Sequence, residues 1–262
     1  MAYPLSATKL VTYNQCPQAY SFRYERGISL PGAFGSPDLG NALHQALAIA
    51  YRDWHYNDHK PDWEWFESCW SLCVAKLSER QIQDGRSILQ GYYRDFVAPL
   101  AVMQRPLGIE AKIKATVQFE NIEFSLNGRY DRLDNVNGKL ELIDYKTTKT
   151  ASTPESVDIQ LGLYAIALQQ VYQQSLKRVS LIFLRAGEVL SFEVNDDHRQ
   201  KVRSLIAELA LRLRADDEWV PKVGGHCDRC GFAQYCAAKT EKPEPLPEGE
   251  RKLRLVQLAL AV

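Results

Sequence analysis

Gly128-Arg129-Tyr130-Asp131-Arg132-Leu133-Asp134 and Leu142-Ile143-Asp144-Tyr145-Lys146-Thr147 decide how this chain is read. Each stretch puts an aspartate at the end of, or inside, a run that otherwise looks like a β-strand. Between them stands Asn135-Val136-Asn137-Gly138, whose Asn-Gly pair is a strong hairpin signal. The two runs are therefore expected as adjacent antiparallel strands. Residues two apart on a strand share a face, so Asp144 and Lys146 point the same way. An in-register hairpin brings Asp131 to that face as well. Two carboxylates can hold a hard divalent cation such as Mg²⁺, and a lysine beside them can orient or activate a water. That is equipment for hydrolysing a phosphodiester. Leu142 and Ile143 make the approach to Asp144 apolar, and a carboxylate buried there is costly unless something pairs with it. Taken singly, Asp131 also reads as a turn residue beside Arg129 or Arg132, and Asp144 with Lys146 as an exposed strand pair. Their combination favours the site.

The bulk numbers set the frame. A chain of 262 residues, 45% hydrophobic and 24% charged, can bury a real core and is most simply one elaborated domain. Its formal net charge is zero, which excludes a coat of basic charge but not nucleic-acid binding, since an acidic metal site offsets a basic groove in the sum. No apolar run reaches membrane-spanning length. Met1-Ala2-Tyr3-Pro4-Leu5-Ser6 lacks the order of a signal peptide, so a cytoplasmic protein is expected. In that reducing compartment the six cysteines are read as thiols and metal ligands rather than disulfides.

Along the chain, Ser6 is expected to cap a helix running to about Tyr24, with Cys16 in its second half. Residues 27–39 read as a loop. Helices are expected over about 39–56, from Pro61-Asp62 to about 83, and over about 84–103. Strands are expected at 107–119, 122–133 and 139–146, then a helix over about 153–174, strands at 178–185 and 189–194, and a helix from Asp196 or Asp197 to about 214. Residues 221–240 are poor in apolar groups and built around cysteines. A proline-rich, linker-like tail follows over 242–262. Strands flanked by helices give an α/β sandwich.

Further residues carry chemistry. Gln160 and Tyr164 are four apart and so share a helical face. They can bind phosphate, or hold Lys146 and the attacking water. His44 falls on a helix among Ala42, Leu43, Ala46 and Leu47, and its imidazole suits Mn²⁺ better than Mg²⁺. Cys227-x2-Cys230-x5-Cys236 lets three thiolates converge, and Cys16 is the best candidate for the fourth; His226 ranks below it. Four thiolates suit tetrahedral zinc or a [4Fe–4S] cluster, and their chemistry does not choose between these. A centre joining Cys16 to the other three would staple the two ends of the chain by closing a very long loop. Cys69 and Cys73 read as core thiols. Lys9, Arg23, Arg26, Lys149, Lys177 and Arg178 are candidates for phosphate contact. Tyr13, Tyr20, Phe22 and Tyr24 could stack on bases, but their helical spacing favours the core.

Taken in order, these motifs resemble the PD-(D/E)XK nuclease superfamily and, within it, the RecB-like branch that includes CRISPR-associated RecB-like exonucleases and AddB-type nuclease domains. Gly40-Asn41-Ala42-Leu43-His44 resembles that branch's first motif, Glu110 stands where the branch often carries a glutamate, Asp131 with Asp144-Tyr145-Lys146 forms the centre, and Gln160-Leu161-Gly162-Leu163-Tyr164 resembles its Q-x-x-x-Y motif. The split of Cys16, Cys227, Cys230 and Cys236, one early and three late, resembles the iron–sulfur ligand sets of some members. The resemblance therefore favours a [4Fe–4S] cluster over Zn²⁺. It also implies a restriction-endonuclease-like mixed sheet flanked by helices, with a nuclease domain over 1–241, a helical insertion at about 40–104 and a metal-cluster segment at 221–240. The implied activity is Mg²⁺- or Mn²⁺-dependent hydrolysis of DNA, single-stranded or at ends, by an exonuclease. In this reading Asp131, Asp144 and the Tyr145 carbonyl hold the metal, with His44 or Glu110 in the outer set. Lys146, Gln160 and Tyr164 complete the catalytic group. No Gly-x4-Gly-Lys-Ser/Thr loop is present, so such a nuclease acts alone or beside a helicase or CRISPR adaptation proteins. The alternative is a nucleic-acid-binding or assembly subunit with a vestigial site.

Overall fold

Two central strands, apolar on both sides, organise the molecule. In the computed structural model, which describes residues 2–29, 38–57, 59–147 and 154–247, these are β4 (Lys139–Lys146) and β5 (Leu176–Phe183), which run parallel. Leu140 and Leu142 on β4, with Val179, Leu181 and Phe183 on β5, enter one core. Ile143, Tyr145 and Ile182 enter another on the opposite face. Strands buried on both faces lose the usual in–out alternation, which is why Leu142-Ile143 precedes an aspartate with no polar residue between.

The sheet has six strands, in the order β1-β3-β4-β5-β6 with β2 on the far edge of β3. Here β1 is Tyr3–Leu5, β2 Gly108–Phe119, β3 Ile122–Val136 and β6 Glu188–Glu193. β1 escaped sequence reading because three residues carry no period; it pairs in parallel with Phe124–Leu126 of β3. β3 runs three residues beyond the expected Leu133, leaving a two-residue turn at Asn137-Gly138. Both turn residues have positive φ, 54° and 77°, the primed turn that suits the twist of a hairpin.

One face of the sheet is covered by α1 (Ala7–Gln15), α6 (Pro154–Tyr172) and α7 (Asp196–Ala215), the other by α3 (Asp38–Arg52), α4 (Trp63–Ser71) and α5 (Glu79–Tyr92). This is a mixed α/β fold of the restriction-endonuclease-like kind. Two helix expectations need correction. The helix expected over 6–24 breaks at Cys16, which is extended (φ −161°, ψ 110°) and stands between α1 and the short α2 (Pro17–Tyr20); a residue preceding proline is pushed out of the α region. The helices expected to meet at 83/84 are instead separated by residues 72–78. Ser78 opens α5 through a capping box with Gln81, a start signal stronger than the run of tryptophans that obscured it. The expected loop at 30–37, the helix start at Thr153, the candidate Lys149 and the tail beyond 247 lie outside the described residues.

Gly162 lies where α6 meets α7, and a Cβ there would overlap the side chains of Val202 and Ile206. Val202 is β-branched and has one preferred helical rotamer, so it cannot swing away. Gly162→Ala should therefore lower the melting temperature despite alanine's better helix propensity, through overpacking of about 1–3 kcal/mol. Differential scanning calorimetry checks this, and an unchanged or higher melting temperature would show that α7 gives way.

Candidate active site

β3 leaves β4 at the site. Their ladder ends at the Arg132–Ile143 pair. One step beyond, the Tyr145 backbone N–H donates to Asp131 Oδ2 at 2.7 Å, so a carboxylate takes the place of a strand carbonyl. Asp131 Oδ1 lies 3.2 Å from His44 Nδ1. His44 comes from α3, on the edge of a helical face whose other members, Leu43, Ala46, Leu47 and Ala50, are buried.

Opposite Asp131 the β2–β3 ladder is also interrupted: Ile109 pairs with Arg132 and Ala111 with Tyr130, while Glu110 between them has φ of 46°. Left-handed backbone is costly for a glutamate, and it goes with a side chain aimed at the site. Glu110 Oε1 is 3.8 Å from His44 Nδ1, and Glu110 Oε2 is 3.2 Å from Arg129 Nε. Donor atoms of His44, Glu110 and Asp131 all lie within 4.8 Å of one another, the one such set of three or more His, Cys, Asp or Glu donors among the described residues. Burial opposes charge on the imidazole, but the Asp131 and Glu110 carboxylates overcome it and raise His44 to about 10. The imidazolium thus stands where a divalent cation would balance the two acids.

Asp144 is 8% exposed. Gln160 Nε2 donates to its Oδ1 at 2.8 Å, and Lys146 Nζ lies 2.6 Å from its Oδ2. Oδ2 is buried and, among the described residues, has that ion pair but no aligned hydrogen bond, a position that a metal could share. Burial pushes the Asp144 carboxyl above its usual range, with Lys146 opposing and Asp131 adding to the rise. Lys146 Nζ also donates to Gln160 Oε1 at 3.3 Å. Gln160 thereby grips the acid and the lysine with the two ends of one amide. Tyr164, expected to act with it, donates to the Arg129 carbonyl at 2.5 Å and so braces β3 two residues before Asp131. The residues fit a divalent metal: one nitrogen and two oxygen ligands converge, and the Asp144 carboxylate, held by Lys146 and Gln160, lies beside them.

The cysteines gather separately. Cys16, Cys227, Cys230 and Cys236 line one pocket, and all are free thiols. No three of their sulfurs come within 4.8 Å of one another. The ends of the chain are also tied without any metal: Tyr13 donates to Asp216 at 2.9 Å, and Tyr20 stacks on Trp219 with ring centroids 5.6 Å apart. Tyr13, Tyr20 and Phe22 are buried, as their spacing suggested, and so is Cys69. Lys177 and Arg178 begin β5 beside Glu141, whereas Lys146 pairs with Phe183 at its far end. These two basic residues are therefore about 17 Å from the site, and Arg178 is paired with Glu193.

The fold is an α/β sandwich that gathers two carboxylates and a lysine where β3 parts from β4. The chain belongs to the PD-(D/E)XK nuclease superfamily, whose profile matches residues 4–237. It is 29% identical to the Gene 69 protein of Mycobacterium phage L5 over 122 residues, 43% of this chain and 39% of that protein. It is 23% identical to an ATP-dependent helicase/deoxyribonuclease subunit from Clostridium perfringens over 83% of this chain and 22% of that one. The chain thus spans well under half the length of these curated relatives. Among solved structures it is similar to a candidate exonuclease from Eubacterium rectale, with 11% identity, 87% of this chain and 86% of that one covered, and a TM-score of 0.46. Among the described residues no helix is long and apolar enough to cross a membrane.

Glu110 gives a test of strain against function. Glu110→Gly removes the backbone penalty of roughly 1–2 kcal/mol for left-handed φ together with the carboxylate. The metal-free variant should melt no lower than the wild type while its Mn²⁺ affinity falls, as read by thermal melts in chelator and by calorimetric titration. A large drop in melting temperature with Mn²⁺ affinity intact would make Glu110 a structural residue.

Proposed function

We propose that this chain is a metal-dependent DNA nuclease of the RecB-like type, an exonuclease acting on single-stranded DNA or DNA ends. The supporting observation is the convergence of Asp131, Asp144 and Lys146 with His44 and Glu110 where β3 parts from β4. In this reading Asp131, Asp144, the Tyr145 carbonyl, His44 and Glu110 hold Mg²⁺ or Mn²⁺. Bound there, the ion polarises the scissile phosphate and stabilises the leaving oxyanion. Asp144 and Gln160 hold the Lys146 ammonium at one place, from which it orients the attacking water. Gln160 fixes the spacing of Asp144 and Lys146, and Tyr164 fixes the approach of β3. Residues 1–241 form the nuclease domain in this proposal, and 242–262 a tail. The similarity to a helicase/deoxyribonuclease component, in a chain without a nucleotide-binding Gly-x4-Gly-Lys-Ser/Thr loop, supports action beside a separate helicase. CRISPR adaptation proteins are the alternative partners.

Asp144→Asn and Lys146→Met should each abolish Mg²⁺- or Mn²⁺-dependent degradation of single-stranded DNA while leaving the circular dichroism spectrum unchanged. Single-stranded, duplex and forked substrates compared over a salt series should show steeply salt-dependent binding. Undiminished cleavage by folded Asp144→Asn protein would sink the assignment.

For the cysteines we propose a structural [4Fe–4S] cluster on Cys16, Cys227, Cys230 and Cys236, supported by their shared pocket and by the split of one early and three late cysteines. Anaerobically purified protein should contain iron and sulfide. Cys16→Ser should lose both, and Cys69→Ser should keep them. Stoichiometric zinc without iron would replace the cluster with a zinc site.

A further inference from the structure

Arg132 follows Asp131 in β3 and carries a charge, on a side chain 12% exposed, that the chemistry above does not use. Its Nη1 donates to the hydroxyls of Tyr92 at 3.1 Å and Tyr145 at 3.0 Å. Its Nη2 lies 3.0 Å from Asp134 Oδ2, and the plane of the guanidinium sits 4.2 Å from the centre of the Tyr51 ring. The Tyr51 and Tyr92 hydroxyls lie 2.7 Å apart, closing the ring of contacts. One guanidinium therefore joins α3, α5, β3 and β4.

Each partner has a neighbour in the site. Tyr51 comes seven residues after His44 on α3, about two helical turns on, and so lies on the same face. Tyr145 stands between Asp144 and Lys146 on β4, and its ring meets the His44 ring edge-on with centroids 6.0 Å apart. Arg132 itself adjoins Asp131. Apart from His44 itself, the buried residues that α3 brings to this face, from Leu39 to Tyr51, form an apolar cluster, and apolar contacts resist separation better than sliding, because they have no direction. A planar fork of donors fixes direction. The clamp is also not arranged for greatest stability: Arg132 Nε and Asp134 Oδ1 are both buried without a hydrogen-bond partner among the described residues, which costs free energy.

We infer that Arg132 is a positioning residue for the metal centre, locking α3 to β4 so that His44 Nδ1 meets the Asp131 and Glu110 carboxylates. This rests on the reading of His44 as a metal ligand. Ligands from two layers of the fold must be held to within about 0.5 Å, and α3 has no covalent link to β4 near the site. Lysine cannot replace the clamp, since a single ammonium cannot span two hydroxyls and a carboxylate while covering a ring.

The test uses Mn²⁺ with the full-length protein, reading its affinity and, by pulsed electron paramagnetic resonance, the nitrogen coupling of a bound imidazole. Wild-type protein should show the coupling and His44→Ala should lose it. Arg132→Met and Arg132→Lys, if folded by circular dichroism, should bind Mn²⁺ about 10- to 100-fold more weakly, the usual effect of removing a group that orients a ligand, and should lose the imidazole coupling. Tyr145→Phe removes one hydroxyl and no charge. It should weaken both readouts less, and it decides the matter if the arginine variants do not fold. Wild-type affinity and coupling in folded Arg132→Met, or in Tyr145→Phe where the arginine variants fail, would overturn the inference alone. Absence of the coupling from the wild type would overturn the metal reading and this inference with it.

Discussion

Asp131 accepts the Tyr145 backbone N–H at the point where β3 and β4 stop pairing, and the site depends on that substitution. A strand that ends its ladder leaves unpaired backbone groups, and in a buried place each must find a partner. Here the partner is a side-chain carboxylate. It keeps one oxygen for the backbone and presents the other to His44. The strands can therefore part without loss of hydrogen bonding, and the opening between them is lined by acid rather than by bare carbonyls. Glu110 extends the same opening from the other edge of β3, at the expense of a left-handed backbone.

Charge is distributed around that opening in a definite order. On the side of α6, Asp144, Lys146 and Gln160 form a closed triangle. On the side of α3, His44, Glu110 and Asp131 form a second triangle. Burial pushes the Asp144 carboxyl above its usual range, and the neighbouring Asp131 carboxylate adds to the rise. A divalent cation held between the triangles would relieve that penalty.

The sheet's two faces divide the labour. α1, α6 and α7 pack on one core and bring Gln160 and Tyr164 to the site; α3, α4 and α5 pack on the other and bring His44. Side chains of the site therefore arrive from both layers, and the geometry is only as good as the contact of each layer with β4. Gly162 sets the approach of α6 to α7, and the Arg132–tyrosine cluster joins α3 to β4.

Much of this was legible in local patterns. Asn137-Gly138 announced the hairpin because only a primed turn uses that pair so readily, and Leu142-Ile143 before Asp144 announced a buried acid because apolar neighbours on both faces leave it no water. β1 was illegible, being three residues long, and so was the break at Ser78, where a short capping signal competed with a row of aromatic residues. The gap between Asp84 and the true start of α5 has the same origin: periodicity locates a helical face but not its end. The sequence by itself determined the order of the strands' chemistry, the pairing of Asp144 with Lys146 on one face and the helical spacing of Gln160 and Tyr164, since all of these follow from periods of 2 and 3.6 along a single element. Only the tertiary structure decided that Gln160 grips Asp144 and Lys146 while Tyr164 braces β3, that Glu110 and His44 meet at Asp131, and that Arg132 lies among three tyrosines. Those contacts join residues from different layers of the fold, and no local period encodes the distance between layers.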